Sequence, residues 1–247
     1  MMLLQDSRVL LHLLRGQRAM GGTHAERLQE FYAPQAEEYD RFRERLLPGR
    51  RELIERLSPS PGDTIVELGG GTGRNIEHFG ARLLSLNRFE LVDLCPALLK
   101  LAEKRASQWP ALVKIIQADA TTYKPSSAGN PGIDRVYFSY SLTMIPEWRR
   151  AINNALRMLR PGGLIGSVDF HVSSNSPPHG LQRHGWLARA FWPRWFRHDG
   201  VHLSSEHLPE LVSRTEPVHC EERFASLPYL PGLRVPYYIY VGRKVGR

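Results

Sequence analysis

The residues of this sequence that are best suited to chemistry surround a glycine-rich turn. Gly69, Gly71 and Gly73 belong to the string Gly-Gly-Gly-Thr-Gly at 69–73, directly after a mostly apolar run at 64–68 that predicts a buried strand. Glycine has no Cβ, so a ligand can approach the backbone closely at such a turn. Glu67 stands two residues before the first glycine, at the end of the predicted strand. The glycine spacing is a weak signal on its own and gains meaning only from its neighbours.

Two acidic residues follow the next two predicted strands. Asp93 ends the strand at 89–93, and Asp119 follows the strand at 113–118. In an open parallel sheet, ligands bind at the carboxyl ends of the strands, where an acid can accept hydrogen bonds from ribose hydroxyls. The structural alternatives are a carboxylate that caps the turn, for Glu67, and a helix N-cap, for Asp93. Their positions at adjacent strand ends favour a ribose-containing ligand.

Strands and helices alternate along the chain, as the elements that position these residues must. The periodicity predicts strands at 64–68, 89–93, 113–118, 136–139, 164–170, 221–225 and 237–243, and helices at 72–84, 96–108, 148–159 and 205–212. This pattern predicts an α/β fold, a doubly wound Rossmann-like sheet of seven mostly parallel strands that closes with a hairpin. An N-terminal helical extension over 1–62 precedes a domain at 63–247, whose long insertion 171–203 is predicted to cover the active site or bind a partner.

The spacing of the glycine turn and the acids resembles that of class I S-adenosylmethionine-dependent methyltransferases, from about residue 39 to the end of the chain. The resemblance implies S-adenosylmethionine as cofactor, with its methionine part at the glycine loop, its ribose at Asp93 and its adenine at Asp119 and Ala120. Tyr39, after an N-terminal helix, resembles the tyrosine that covers the cofactor in this family. The implied cofactor-binding residues are Tyr39, Glu67, Gly69, Gly71, Gly73, Asp93, Leu94, Asp119, Ala120 and Ser139.

A dinucleotide dehydrogenase is the competing interpretation of the glycine turn. Its fingerprint is Gly-x-Gly-x-x-Gly, whereas the third glycine here, Gly73, comes one residue earlier. The string Arg-Pro-Gly-Gly at 160–163, before the fifth strand, is also typical of methyltransferases. Both observations favour methyl transfer over hydride transfer.

The segment after the fourth strand narrows the class of methyltransferase. Enzymes that methylate amino groups of nucleobases carry an Asn/Asp-Pro-Pro-aromatic motif there, and residues 139–146 read Ser-Tyr-Ser-Leu-Thr-Met-Ile-Pro instead. Cysteine-based RNA methylation also fits poorly, because Cys95 belongs to the turn after the second strand and Cys220 lies far along the chain. A nucleic-acid substrate is therefore not expected.

Several longer strings resemble the methyltransferase part of betaine lipid synthases. They lie at 31–40, 139–146, 169–170, 198–203 and 228–238. The resemblance implies trimethylation of the homoserine amine of diacylglyceryl-homoserine, a lipid. The half of those synthases that transfers the aminocarboxypropyl group has no counterpart in this sequence, so a separate aminocarboxypropyl transferase is the implied upstream partner. The alternatives are a methyltransferase of a quinone or other isoprenoid precursor, and a non-catalytic nucleic-acid-binding module.

Methyl transfer to an amine is an in-line displacement that needs a neutral amine and good alignment rather than a strong base. Burial lowers the pKa of an amine, and aromatic rings stabilise the cation that forms as methyl groups accumulate. The predicted catalytic residues are Tyr39, Tyr140 and His171, with core packing as the alternative for Tyr39 and a structural role as the alternative for the histidine. No metal is expected, because the histidines at 198, 202, 207 and 219 show no ligand spacing.

The composition is that of a globular protein with an excess of positive charge. Lys and Arg total 33 and Asp and Glu total 25, so the net charge of +8 favours an anionic partner. The apolar start at 2–14 is interrupted by charged residues and predicts an amphipathic helix rather than a membrane span. Together with the Trp- and Arg-rich stretch 186–197, it predicts a cytoplasmic protein attached peripherally to an anionic membrane surface. The two cysteines are expected to be reduced thiols.

Overall fold

A computed structural model describes residues 23–32, 46–125, 132–197, 200–227 and 232–246 of the chain. The strands are β1 Thr64–Leu68, β2 Arg88–Asp93, β3 Val113–Gln117, β4 Ile133–Ser139, β5 Leu159–Phe170, β6 Glu216–Ser226 and β7 Arg234–Arg243. Within the described residues these seven strands form one sheet in the order β3-β2-β1-β4-β5-β7-β6. Strands β1 to β5 run parallel, and β7 lies antiparallel between β5 and β6. The predicted doubly wound, mostly parallel sheet with a closing hairpin is confirmed.

Helices cover both faces of this sheet. The described helices are α1 His24–Tyr32, α2 Arg50–Leu57, α3 Ile76–Phe79, α4 Pro96–Ala106, α5 Trp148–Met158, α6 Trp186–Arg197 and α7 His207–Arg214. Helices α2, α3, α4 and α6 contribute to one apolar core, and α5 and α7 contribute to the other. Helix α1 packs beside the start of α4, where Leu28 and Tyr32 form a small cluster with Leu98. The sheet therefore lies between two helical layers.

Strand β1 is the central support of the fold. All five of its residues are buried, and it pairs with β2 on one side and β4 on the other. A strand buried on both faces is apolar except where a polar side chain finds a partner. In β1 the polar residues are Thr64, whose hydroxyl accepts a hydrogen bond from Asn87 at 3.0 Å, and Glu67. The glycine turn thus begins at the end of a rigid, buried strand.

The prediction of one helix over 72–84 is wrong in its bounds, because the α-helix in this segment is much shorter. The chain first turns through Gly73 at φ +73°, then forms the short helix α3, and continues as a 3-10 helix over Gly80–Ser85. Gly80 has φ +55°, and this left-handed backbone ends the α-helical hydrogen bonding. The turn after β1 is consequently wider than the periodicity suggests.

Strand β5 begins earlier than predicted. The Arg-Pro-Gly-Gly string at 160–163 ends α5 as expected, but β5 already starts at Leu159, with a register shift against β4. Gly162 has φ +75°, and its N–H donates a hydrogen bond to the carbonyl of Lys244 at 3.0 Å. This segment is therefore a bulged extension of the sheet rather than a free turn.

Parts of the predicted extension and insertion pack into the main core. Leu53 and Ile54 of α2 are fully buried against the sheet, and α6 of the insertion buries Trp192. The domain boundary at residue 62 stays a prediction. The predicted amphipathic helix at 2–14 and the predicted site residue Tyr39 lie outside the described residues. Among the helices that the structure describes, none combines the length and the apolar character needed to cross a bilayer.

Candidate functional site

A cavity of about 350 Å³ lies at the carboxyl ends of β1 to β4. Helix α1 closes one side of it, and residues 144–147 after β4 line another. The predicted site residues that line this cavity are Gly69, Gly71, Asp93, Leu94, Asp119, Ala120 and Tyr140. The predicted site residues that the structure places outside its lining are Glu67, Gly73, Ser139 and His171. The sequence motifs therefore converge on one cavity, with four exceptions.

Close contacts leave no room for side chains in the glycine turn. Gly69 has φ +75°, and a Cβ on it would lie 2.4 Å from the Cβ of Ser141. Its N–H donates to the carbonyl of Val92 at 2.8 Å, which ties the turn to the end of β2. Gly71 has φ +55°, and its N–H donates to Oδ2 of Asp93 at 2.8 Å. Glycine is therefore required here for both conformation and space.

Asp93 combines the two roles that its position in the sequence allows. Its Oδ1 accepts a hydrogen bond from the N–H of Cys95 at 2.8 Å, and its Oδ2 accepts one from the N–H of Gly71, so the carboxylate caps backbone amides. The same residue lines the cavity. A carboxylate can accept about four hydrogen bonds, and the hydroxyls of a ribose are donors of the matching kind. Capping and ligand binding are thus compatible, because the backbone bonds fix the orientation of the carboxylate.

Asp119 is held in a similar way at the next strand end. Its Oδ1 accepts a hydrogen bond from the N–H of Thr121 at 2.7 Å. The N–H of Ala118 donates to the carbonyl of Asp93 at 3.1 Å, which joins the two acidic turns. Ala120, the small residue beside the acid, also lines the cavity. Backbone hydrogen bonds therefore fix both acids along one rim.

Glu67 and Gly73 support the turn from behind instead of facing the cavity. Glu67 is fully buried, its Oε1 accepts a hydrogen bond from Nδ2 of Asn75 at 2.6 Å, and burial raises its pKa to about 7. A Cβ on Gly73 would lie 3.2 Å from Cβ of Ala102 and from Cδ1 of Leu91, so this glycine lets α4 pack closely on β2. Their direct contact with the cofactor stays a prediction, and the structure places both outside the cavity lining.

Tyr140 forms an aromatic wall of the cavity. It follows Ser139, which is buried outside the lining, and has φ +54°, a rare value for a residue other than glycine. Its hydroxyl donates a hydrogen bond to the carbonyl of Pro48 at 2.7 Å, and its ring centroid lies 4.8 Å from that of Phe170. Burial raises the pKa of Tyr140 well above its usual value. The phenol therefore keeps its proton and does not act as a base.

His171 lies in a different cluster, outside the cavity lining, and its catalytic role stays a prediction. Successive side chains of an extended segment point to opposite faces, so Phe170 faces Tyr140 and His171 faces away. Its Nε2 lies 3.3 Å from Oε1 of Glu222, and its ring centroid lies 4.9 Å from that of His184. All three side chains of this histidine cluster (His171, His184 and Glu222) are at most 5% exposed.

The histidine cluster has the composition of a metal site, but the nitrogen of His184 that would bind the metal carries a proton. Its three donor atoms lie within 4.8 Å of one another. The N–H of Ser173 donates to Nδ1 of His184 at 3.0 Å, so the neutral ring keeps its proton on Nε2, the atom that would have to bind a metal. Burial lowers the pKa of His184 to about 4, so the ring is neutral at physiological pH. The backbone therefore engages Nδ1 of His184, and the neutral ring does not offer Nε2 to a metal.

Helix α1 contributes cavity residues that the sequence did not assign. Leu28 and Tyr32 line the cavity, and Oε1 of Gln29 accepts a hydrogen bond from the N–H of Ala97 at 2.9 Å. This bond anchors α1 to the start of α4. The sequence signal is an aromatic pair at 31–32 on an amphipathic stretch, which by itself is equally typical of core packing.

Sequence comparison relates the central part of the chain to methyltransferases. Residues 65–163 match the family described as "Methyltransferase domain". The chain is similar to the ubiquinone/menaquinone biosynthesis C-methyltransferase of Hydrogenovibrio crunogenus, with 26% identity over 125 residues, which cover 49% of this chain and 47% of that protein. The chain thus spans about half the length of this curated relative.

Structural comparison shows the same fold in solved proteins. The YcgJ protein from Bacillus subtilis has a TM-score of 0.62 at 12% identity, covering 81% of this chain and 99% of that one. Phosphoethanolamine N-methyltransferase 2 of Haemonchus contortus, in complex with S-adenosyl-L-methionine, has a TM-score of 0.60 at 16% identity, covering 80% of this chain and 52% of that one. The Rossmann-like methyltransferase fold is therefore confirmed.

Proposed function

We propose that this protein is an S-adenosylmethionine-dependent methyltransferase that trimethylates the homoserine amine of diacylglyceryl-homoserine. The observation that carries the proposal is a single cavity in which the glycine turn, Asp93 and Asp119 meet the aromatic wall of Tyr140. The family match over residues 65–163 supports the reaction class. The N-methyltransferase from Haemonchus contortus, which shares the fold, supports nitrogen as the acceptor.

The residues of the cavity fit S-adenosylmethionine. The backbone at Gly69 and Gly71 lines the cavity and would accommodate the methionine part. Asp93 accepts hydrogen bonds from the ribose hydroxyls, and Asp119 with Ala120 borders the adenine. The volume of about 350 Å³ lies within the range of roughly 300–1,000 Å³ that is usual for small-ligand pockets.

The chemistry requires alignment and a neutral amine. When bound, the cofactor would supply a methyl group on a positively charged sulfur; the amine nitrogen would bond to the methyl carbon as the carbon–sulfur bond breaks, and S-adenosylhomocysteine would leave. Tyr140 keeps its proton, so it does not deprotonate the amine. The ring of Tyr140 packs against that of Phe170, and these apolar surroundings lower the pKa of the amine. The amine therefore releases its proton to solvent. The ring of Tyr140, which lines the cavity, would stabilise the cation that forms as methyl groups accumulate.

The lipid acceptor is proposed because the strings that resemble betaine lipid synthases converge at Thr143. Its N–H and hydroxyl donate to the carboxylate of Asp169 at 3.1 and 2.8 Å, which joins string 139–146 to string 169–170. Its carbonyl accepts a hydrogen bond from the N–H of His202 at 2.8 Å, which connects string 198–203 to the same residue. Segments far apart in the sequence thus build one wall beside the cavity. The substrate diacylglyceryl-homoserine must come from a separate aminocarboxypropyl transferase.

Carbon methylation of a quinone precursor is the second candidate function. The name of the Hydrogenovibrio crunogenus relative favours it. Methylation at a ring carbon requires a base that removes a proton from the acceptor. The described residues that line the cavity include no histidine, and Tyr140 stays protonated, so the carboxylates of Asp93, Asp119 and Glu147 are the lining groups that could serve as this base. An amine acceptor needs no such base, so the rates on the two acceptors distinguish the candidates.

Initial methylation rates distinguish the two acceptors. The purified protein is incubated with labelled S-adenosylmethionine and, separately, with diacylglyceryl-homoserine or a demethylated quinol in detergent. We expect transfer to the lipid at least tenfold faster than to the quinol, and loss of transfer in Asp93→Ala but not in Glu55→Gln, which changes an exposed acid of α2. Faster transfer to the quinol would favour the second candidate and reject the lipid assignment.

A further inference from the structure

Helix α6 presents an apolar surface to solvent. Leu187, Phe191 and Trp195 recur every four residues, so they lie on one side of the helix. Trp186 and Leu187 are 70% and 62% exposed, and Phe191 and Trp195 are 39% and 40% exposed. The rings of Phe191 and Trp195 stack with centroids 5.7 Å apart. We call these four residues the α6 face. A cluster of exposed large apolar side chains of this kind marks an interaction surface rather than an ordinary soluble one.

The segment that contains α6 carries arginines and no acidic residues. Residues 171–197 contain four arginines, Arg183, Arg189, Arg194 and Arg197, and no aspartate or glutamate. In the part of the chain that the structure describes, none of their guanidinium groups is paired with a carboxylate. Arg189 and Arg194 instead donate to neutral oxygens, Asn175 Oδ1 at 2.6 Å and the carbonyl of Ala190 at 2.7 Å. The partner of this surface must therefore supply negative charge as well as apolar contact.

A column of aromatic rings connects the α6 face to the cavity. Phe191 contacts the buried Trp192 with ring centroids 4.9 Å apart, and Trp192 contacts Phe196 at 5.8 Å. Phe196 contacts Phe170 at 4.9 Å, and Phe170 contacts Tyr140, the cavity wall, at 4.8 Å. The exposed helix is thus packed directly on the wall of the site that transfers the methyl group. A partner bound to α6 lies next to the reaction.

We infer that the α6 face docks on an anionic phospholipid surface and holds the cavity against it. Tryptophan is favoured at the boundary between headgroups and acyl chains, and arginine binds lipid phosphates with charge-assisted hydrogen bonds. A second copy of the same face is a poor occupant, because it would bring arginines against arginines. The inference deepens the proposed function, on which it rests for the identity of the acceptor. It adds the surface through which a membrane-embedded lipid reaches the site.

Vesicle sedimentation tests the docking surface without reference to activity. The full chain is mixed with vesicles of phosphatidylcholine containing 30% phosphatidylglycerol, or of phosphatidylcholine alone. We expect binding to the anionic vesicles to fall at least tenfold in Trp186→Ser/Leu187→Ser. Arg194→Gln/Arg197→Gln should reduce it by about 25-fold, since each arginine near an anionic surface contributes about fivefold. Salt at 0.5 M should have a similar effect on the unmodified protein.

Matched surface changes elsewhere provide the controls. Leu84 is as exposed as Trp186, so Leu84→Ser removes a comparable apolar side chain from a different face. Arg82→Gln/Arg157→Gln removes two exposed arginines outside α6. Both variants should bind vesicles as the unmodified protein does. The inference would be overturned if the control variants lost as much binding or if neutral vesicles were bound equally well. It would also be overturned if single-stranded RNA at equimolar nucleotide displaced the vesicles, and that result would assign the surface to nucleic acid.

An activity measurement separates this inference from the proposed function. Methyl transfer to a water-soluble, short-chain analogue of diacylglyceryl-homoserine should be unchanged in Trp186→Ser/Leu187→Ser. Transfer to the long-chain lipid in vesicles should fall by the same factor as vesicle binding. Absence of transfer to either acceptor, combined with binding that depends on the α6 face, would reject the lipid acceptor and retain the docking surface. Equal losses on both acceptors would show that α6 supports the cavity only, and would overturn the docking role.

Discussion

The glycine turn and the histidine cluster lie at the same edge of one sheet but are assembled from different kinds of contact. In the turn, backbone amides of Gly69 and Gly71 bind Val92 and the carboxylate of Asp93 within a short stretch of adjacent strand ends. In the histidine cluster, three side chains meet in the core: one from the residue directly after β5, one from the segment before α6 and one from β6. Backbone geometry thus shapes one region, and side-chain packing shapes the other.

This difference explains which region can bind a ligand. The turn leaves backbone and acids along a cavity of about 350 Å³. The cluster closes on itself, with His171 and His184 at most 4% exposed. Titratable groups alone therefore do not define a site, since the cluster contains more histidine than the cavity lining. Open space beside fixed polar groups is the property that distinguishes the two regions.

Replacing Gly69 should produce the largest effect. Gly69→Ala places a methyl group 2.4 Å from Cβ of Ser141 at φ +75°. The free energy of unfolding should fall by about 2–5 kcal/mol, from left-handed backbone and overpacking together, and cofactor binding should be lost. Gly62→Ala is the matched control, because Gly62 has φ +82° with open space around it, and should cost about 1 kcal/mol. Urea denaturation measures both; equal losses would show that the turn is not tightly packed.

The pH dependence of stability should separate the two regions by sign, beginning with Glu67. Its pKa rises from 4.5 to about 7 on folding, so its contribution to stability is present below pH 4.5 and is lost as the pH rises through 7. Between pH 5 and 8 the free energy of unfolding of the unmodified protein should fall by up to about 3 kcal/mol more than that of the Glu67→Gln variant. Denaturation at both pH values tests this. Parallel pH profiles for the two proteins would contradict the buried, protonated carboxyl.

Removing the Asp93 carboxylate should weaken cofactor binding, whereas changing an acid of the histidine cluster should not. Asp93→Ala removes hydrogen bonds to a charged acceptor worth about 1.5–3 kcal/mol each, so affinity for S-adenosylmethionine should fall at least tenfold. Glu222→Gln, in the histidine cluster, changes a buried acid outside the cavity lining and should leave affinity within twofold. Calorimetry on both folded variants decides the matter. Unchanged affinity in Asp93→Ala would remove this residue from the site.

The histidine cluster should respond to acid rather than to base, with a smaller effect. The pKa of His184 is lowered from 6.5 to about 4, so its contribution to stability is present above pH 6.5 and is lost as the pH falls through 4. His184→Asn keeps an acceptor for the N–H of Ser173 and removes the titration. Its stability should therefore decline less between pH 7 and 4.5. A decline equal to that of the unmodified protein would show that the ring is already charged when folded.

The same contrast determines how much the sequence could reveal. The strands, the glycine turn and both acids follow from local patterns, because strand ends and turns carry their own residue preferences. The face to which His171 points depends on the alternation at the end of β5, and a sequence pattern does not tell which face adjoins the cavity. The cavity contact of Tyr32 depends on how α1 docks through Gln29 on a distant helix. Tertiary packing of this kind leaves no local signature.

The mass of the reaction product tests the central claim most directly. The full chain is incubated with diacylglyceryl-homoserine and excess S-adenosylmethionine that carries a trideuterated methyl group, and the lipid headgroup is fragmented over time. We expect mono- and dimethyl species to appear transiently and a headgroup with three labelled methyl groups on its nitrogen to accumulate, because the aromatic wall needs no hydrogen bond from the amine. Label on a carbon or oxygen atom, or a monomethyl product that never advances while donor remains, would contradict the account.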